Sequence, residues 1–518
     1  MIVISNGTII DGTGAAAFKG SVVVEGDRIV DVIESGAVPQ DAEVVDASGC
    51  LVTPGFIDSH THSDAYLVIE PDAPSKITQG VTTEINGQCG GSVAPRYGEA
   101  RLSSDWASIL GPRLTWRSLA DYREVLSAAR PAVNTVQFIG HNTLRSSVVG
   151  YAGRAATQDE MSEMKRLLAQ CLDEGGWGLT TGLIYQPGKY STPHEVVELA
   201  KVAADRGGLY ATHMRSEGDR IIEAIDEVLD LVRATGIRAE ISHLKTSGRR
   251  NWGKIDAVLD KMQGAIDAGL LLGSDRYPYC AAGTDLDVVL PDWAQEGAAK
   301  AECERLADAT IRARMVSELD ASDRDWSTVM VGGTWHEDNK RFSGRYVSDI
   351  MAELSLSAGE LVCRILEKDL CRTGGFFFGM SEENLAKIYA RPWIVPGSDA
   401  SLRAPWGPLG ADHPHPRAYA TMPEFYRRVR ELGFSREETV ARMTGVPARR
   451  FGLKGRGEIG KGAFADIVVW REGDFAAKST YVEPHQFTGG VELVMVNGSI
   501  PYRNGRFTGD RAGRFLEK

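Results

Sequence analysis

Six side chains in this sequence carry groups that bind a transition-metal ion, and each lies at or just beyond the end of an apolar run. His60 and His62 close the segment GFIDSHTHSD. Alternate residues of an extended strand share a face, so both imidazoles can address one ion. His213 ends GGLYATH and His243 ends RAEISH. Cys89 follows TTEINGQ, with glycines on both sides that let the backbone bend, and Asp399 ends WIVPGSD. Imidazole, thiolate and carboxylate are the ligands zinc takes. Six donors suffice for one ion or for two. A hydrolytic zinc keeps one position open for water, lowers the pKa of that water and polarises a carbonyl. A carboxylate beside the ion then moves the proton from the water to the leaving group, and Asp399 is the candidate. Taken singly, each residue has a plainer reading: a rim histidine can bond a loop, and a cysteine is often an inert buried hydrophobe. The convergence of all six carries the metal-site reading.

The elements that must position these groups alternate along the middle of the chain. Strand-like runs fall at residues 55–62, 81–87, 135–141, 178–183, 209–213, 238–243, 271–277 and 393–399. Amphipathic stretches such as TQDEMSEMKRLLAQCLDEG and PHEVVELAKVAADRGG separate them, with Thr157 and Thr192 as N-cap candidates. Eight βα units imply an α/β (β/α)8 TIM barrel, whose active sites lie where the strands end, where all six donors fall. Residues 1–54 and 450–518 instead show short alternating runs broken by Asn-Gly, Asp-Gly and Gly-Asp. These predict a small β-sandwich domain formed from both chain ends, flanking a barrel over 55–449. The stretch from 285 to 390 is too long for one βα connection and implies an inserted subdomain, a candidate lid.

The chain has 518 residues, 43% of them hydrophobic, enough for a barrel and a second domain. A diffuse net charge of -12, with no block of like charge, argues against a nucleic-acid partner. No apolar run is long enough to span a membrane. The N-terminal MIVISNGTIIDG reads as strand and turn rather than as a signal peptide. Seven scattered cysteines argue against a disulfide framework and for a reducing, cytoplasmic setting.

GFIDSHTHSD, the rim histidines and GSDA resemble the amidohydrolase superfamily. GVTTEINGQCGGSVAP, GLTTGLIYQPG, ISHLKTSG, DRYPYCAAGT and HPHPRAYATMPEF together resemble its N-acyl-D-amino-acid deacylase (D-aminoacylase) branch. The resemblance spans nearly the whole chain and is weakest over 285–390. It implies a tight zinc on Cys89, His213 and His243, and a second, weaker site on His60, His62 and Asp399 with Cys89 bridging. Relatives outside this branch bridge with a carboxylated lysine, and no lysine ends the fourth strand here. The resemblance also implies Lys245, Tyr277 and Arg417 as binders of a substrate carboxylate, and Tyr185 as a pocket residue with a structural role as its alternative. The implied reaction is hydrolysis of an N-acyl-D-amino acid, a small-molecule substrate. A family serine after YPY is absent from CAAGT. Glu84, unexpected in an apolar strand, either touches the metal site or pairs with a basic neighbour. The segment SLRAPWGPLGAD is long enough to bring Trp406 or Arg403 against the acyl or side-chain part of a substrate. The rival readings are a cyclic amidase of the dihydroorotase or hydantoinase kind, and a barrel without catalysis.

Overall fold

The structure is a computed structural model, and it describes residues 1–34, 39, 41–102 and 104–518. Eight strands form the central barrel: Phe56–Asp58, Val81–Asn86, Asn134–Gln137 continued by Ile139–Gly140, Gly178–Gly182, Leu209–His213, Arg238–Ile241, Leu272–Arg276 and Ile394–Pro396. Neighbours in this order pair in parallel. The ring closes between the last strand and the first, where Ser59 N donates to Pro396 O and Asp399 N to His60 O. Seven of the eight runs read from the sequence contain one of these strands, and the run 135–141 misses only Asn134 at the start of the third.

The intervening helices form where capping and periodicity place them. Thr157 and Thr192 accept from the backbone N–H of Glu160 and Glu195 and cap the helices Gln158–Asp173 and Pro193–Ala204. The apolar faces of these helices, including Leu168 and Leu199, pack into the main core. Capping supplies acceptors for the backbone N–H groups that a helix start leaves unpaired, and the apolar stripe fixes which side meets the sheet.

Both chain ends build one nine-stranded sheet. Its first strand, Ile2–Ile9, pairs with Phe18–Glu25 along one edge, and with Glu43–Asp46 and then Leu51–Pro54 along the other. Leu51–Pro54 in turn pairs with Ile467–Trp470, which joins the C-terminal strands to the sheet. The C-terminal segment then returns to the barrel: Thr135 N donates to Arg514 O and Leu516 N to Thr135 O, covering the free edge of the third barrel strand. Between the seventh and eighth strands, Ala282–Asp285, Val329–Val331 and Gly374–Phe377 form a separate antiparallel sheet. It packs over its own hydrophobic cluster, which includes Leu286, Leu361 and Ile365.

Among the described residues no helix is long and apolar enough to cross a membrane. All seven cysteines are free thiols.

Candidate metal centre and active site

The six donors meet at the C-terminal rim of the barrel in two groups. His60, His62, Cys89 and Asp399 form one, and Cys89, His213 and His243 the other, the ligand atoms within each group all lying within 4.8 Å of one another. Cys89 belongs to both. Its Sγ is 3.3 Å from His60 Nε2 and 3.4 Å from His243 Nε2. Asp399 Oδ1 is 3.3 Å from His60 Nε2 and 3.1 Å from His62 Nε2.

The backbone is bent to aim three of these groups inward. Cys89, His243 and Asp399 have left-handed φ values of 52°, 39° and 50°. Such values cost a non-glycine residue energy, about 1–3 kcal/mol each, and persist where the surroundings enforce them. Gly90 has to be glycine: a Cβ there would lie 2.6 Å from Gly182 N.

The electrostatics suit a cation. Burial alone would raise the Cys89 thiol pKa, but the His60 and His243 imidazoles outweigh it and hold the thiol well below its usual range. Burial likewise opposes ionisation of Asp399, and Arg417 and His243 overcome it and hold the carboxyl far below normal. In return, Asp275 and Cys89 drive the His60 pKa well up against the cost of burial. This negative field draws positive charge to the centre, as protons or as a metal ion that displaces them. His213 tests the metal reading: both its ring nitrogens are buried without a hydrogen-bond partner, and a coordinated ion would satisfy one of them. The donor set therefore fits zinc.

A second layer fixes the imidazoles, and the sequence reading missed it. Asp275 Oδ2 lies 3.1 Å from His60 Nδ1, leaving Nε2 to face the centre. Glu217 Oε1 lies 2.9 Å from His243 Nδ1, and Oε2 is 3.6 Å from His213 Nε2. Carboxylates in this position set the tautomer and orientation of metal-binding histidines. Asp275 sits at a strand end like the ligands do, and Glu217 follows His213 by four residues; those placements were the available signals.

The remaining site residues take more definite positions. Lys245 is buried, with its ammonium on Glu217. Arg417 Nη1 donates to Asp399 Oδ2 at 2.7 Å. Tyr277 is fully buried between cations, its ring centroid 4.0 Å from Arg276, 4.7 Å from Arg417 and 5.8 Å from Lys245. Burial raises its phenol pKa, and Lys245, Arg276 and Arg417 together bring it below normal. Tyr185 packs edge-on against His213, with centroids 5.0 Å apart.

Glu84 is not at the metal centre. It accepts from Ser63 Oγ and lies 3.2 Å from the buried Lys76 ammonium, which also bonds Asp58. Trp406 and Arg403 are each held by other partners. Trp406 is 43% exposed, bonded to Glu70 and packed on Phe487 and Phe507. Arg403 pairs with Asp412 and stacks over Tyr66. Polar partners therefore hold both side chains in this structure.

Comparison with known proteins identifies the family. The amidohydrolase family model matches residues 43–502. A D-aminoacylase of Alcaligenes xylosoxydans xylosoxydans is 33% identical over 520 residues, covering 100% of this chain and 97% of that protein. A solved D-aminoacylase, described by a binuclear metal centre with one-metal activation and second-metal attenuation, superposes with a TM-score of 0.83 at 33% identity, covering 100% of this chain and 99% of the other. The N-acyl-D-glutamate deacylase of Bordetella bronchiseptica, solved with zinc and a phosphonate mimic of the tetrahedral intermediate, gives 0.84 at 32% identity with the same coverage. With a family match over most of its length and full-length relatives at this identity, the chain belongs to the amidohydrolase family.

Proposed function

We propose that this chain is a zinc-dependent hydrolase of N-acyl-D-amino acids, cutting the amide bond to give a carboxylate and a free D-amino acid. The observation that carries the reading is Cys89 Sγ standing between two donor groups, in a chain alike over its whole length to a D-aminoacylase. Cys89, His213 and His243 would hold the tight zinc; His60, His62 and Asp399, with Cys89 shared, would hold a weaker second one. Zinc bound there supplies a Lewis acid that lowers the pKa of water and polarises a carbonyl.

The residues do the rest. Asp399 takes the proton of the attacking water at its carboxylate and passes it to the leaving nitrogen, so the proton ends on the released amine. Arg417, Lys245 and Tyr277 bind the α-carboxylate: Arg417 offers a planar fork, Lys245 a point charge and Tyr277 a directed hydroxyl. In the free protein both cations are already paired, Arg417 with Asp399 and Lys245 with Glu217, so a substrate carboxylate competes with site carboxylates for them. Tyr185, against His213, lines the pocket. With the carbonyl and the carboxylate both fixed, the side chain of each enantiomer has one direction left, and the likeness to D-aminoacylase assigns the D hand.

The cyclic-amidase reading is the weaker one. A cysteine occupies the shared position, the fourth strand, Gly178–Gly182, ends without a lysine, and cations beside Asp399 suit a linear substrate with a free carboxylate. The test is a paired screen of N-acetyl-D- and N-acetyl-L-amino acids, with hydantoins and dihydroorotate, on zinc-loaded protein. Release of free amine from D-substrates alone is expected. A preference for L-substrates or for the cyclic amides would overturn the assignment.

A further inference from the structure

Three of the ten histidines, His413, His415 and His485, lie outside the metal cluster and meet in one place. They join residues 412–419, the rim segment that carries Arg417, to the chain between the sheet strands Ile467–Trp470 and Val491–Val496. Adjacent antiparallel strands are usually joined by two to five residues. Here the connection runs over residues 471–490 and reaches the barrel rim.

Its grip on the rim segment is specific. His413 Nε2 lies 2.7 Å from Tyr481 O, and Thr488 Oγ1 donates to Tyr419 O at 2.8 Å. His485 Nε2 lies 2.9 Å from Asp412 O, which leaves Nδ1 to accept from the Tyr419 hydroxyl at 2.9 Å. The Tyr481 hydroxyl is 3.2 Å from His415 Nε2.

His415 is the centre of the arrangement. Its Nδ1 accepts from the backbone N–H of Arg417 at 3.0 Å, and its Nε2 lies 3.0 Å from Ala281 O, to which it donates. Two residues further along, in the strand Ala282–Asp285 that follows, Gly283 O accepts from Arg417 Nη2 at 3.0 Å. The imidazole thus ties down both the backbone from which the arginine departs and the strand on which its guanidinium rests. Tyr481, Tyr279 and Phe376 surround the ring, at 4.9, 5.2 and 5.3 Å between centroids.

We propose that the 471–490 connection is a strap that positions Arg417 for the substrate carboxylate, acting through Tyr481 and His415. This rests on Arg417 being a carboxylate ligand. An arginine fork recognises a carboxylate only in the right plane, and its long flexible stem has to be restrained to keep that plane. A displacement of about 1 Å in a positioning group can cost about 10²-fold in rate. The terminal sheet therefore contributes to substrate recognition without touching the substrate.

The test uses full-length, zinc-loaded protein, an N-acetyl-D-amino acid and its α-carboxamide, with metal content and melting temperature measured for each variant. The readout is the acid-to-amide ratio of kcat/KM. Wild type should favour the acid, and Arg417→Gln should remove that preference. His415→Phe should lower the ratio about 10-fold, mainly through KM for the acid. His415→Asn keeps a side-chain oxygen able to accept from the N–H two residues on, and should recover part of it. Tyr481→Phe, which removes one oxygen and keeps the ring packing, should lower the ratio several-fold. An unchanged ratio in both Tyr481→Phe and His415→Phe, with Arg417→Gln still abolishing the preference, overturns the strap. Equal losses on acid and amide overturn it as well, because they mark a purely structural role. If wild type shows no preference for the acid, or Arg417→Gln leaves it intact, the carboxylate clamp falls and the strap with it.

Discussion

Arg417 Nη1 stands 2.7 Å from Asp399 Oδ2, so the cation proposed for the substrate carboxylate is, in the free protein, the ion-pair partner of the proposed proton carrier. Burial pushes the Asp399 pKa up, and Arg417, first among the neighbours, brings it well below normal. The sign follows: removing the guanidinium raises that pKa. Arg417→Gln should move the acidic limb of the kcat/KM profile to higher pH and lower kcat/KM at neutral pH by about 10- to 150-fold, the value of one charge-assisted hydrogen bond. Asp399→Asn should lose about 10²-fold or more in turnover and lose the limb altogether. A limb that stays in place in both variants would assign it to another group.

Cys89 is the one donor common to both groups. Cys89→Ala should strip the tight metal and the weaker one together, whereas His62→Ala should affect only the weaker. Elemental analysis after gel filtration separates the outcomes, and full zinc retention in Cys89→Ala would remove the thiolate from the centre.

Glu217 touches two imidazoles and Lys245 at once. Burial disfavours its charge, but His213, Lys245 and His243 hold it ionised, well below the usual glutamate range. Glu217→Gln should weaken zinc by about 10- to 100-fold, the usual cost of losing an outer carboxylate. Competition against a chromogenic chelator measures this directly. Unaltered affinity would show that the two histidines hold their orientation without it.

Lys76 is fully buried and holds Asp58, Glu84, Ser398 Oγ and Ala400 O together beneath Asp399. Lys76→Met leaves two buried carboxylates without their cation. Removing one partner of such a cluster typically costs about 3–5 kcal/mol. A clear drop in melting temperature is expected, partly recovered in the double variant Lys76→Met with Glu84→Gln. Calorimetry decides it, and a single variant as stable as wild type would contradict the pairing.

The insertion over 285–390 is bonded to the barrel and its rim at several places, among them Gln186 Nε2, which donates to Gln295 O, and Trp252 Nε1, which donates to Gly379 O. Taken as a cover that closes over bound ligand, it should be cut by a protease faster in free protein than with saturating product. Equal cutting rates would count against closure.

The parts of the site that could be read from the sequence are those a single strand end specifies. His60, His62, His213, His243 and Asp399 each close a run whose period is visible locally, and Cys89 lies among glycines whose bend is equally local. Asp275 and Glu217 were in view, but their roles depend on which imidazole nitrogen faces the centre, and spacing does not encode that. The length of the loop after Asp399 does not encode the partners it gives Arg403 and Trp406, which are Asp412 and Glu70. Glu84 found its cation in Lys76, eight residues earlier, because Lys76 lies in the helical turn Pro74–Ile77 just before the strand that carries Glu84. Tyr481 and His415 meet across 66 residues and two architectural units, beyond any periodicity.

Arg514 and Leu516 edge the third barrel strand through Thr135. Synthesis runs from the N-terminus, so this strand exists long before its outer partner does. The first strand of the terminal sheet waits in the same way: Ile4, Ile9, Val22 and Val24 share a core with Ile467, Val469 and Leu493, which are made hundreds of residues later. A growing chain thus carries an apolar N-terminal hairpin that cannot complete its core, and a third barrel strand without its outer partner, until residues 467–516 have been made. Closure of both is a single late event, and a nascent chain stalled after the eighth barrel strand would hold all six metal donors on a scaffold still open at its base.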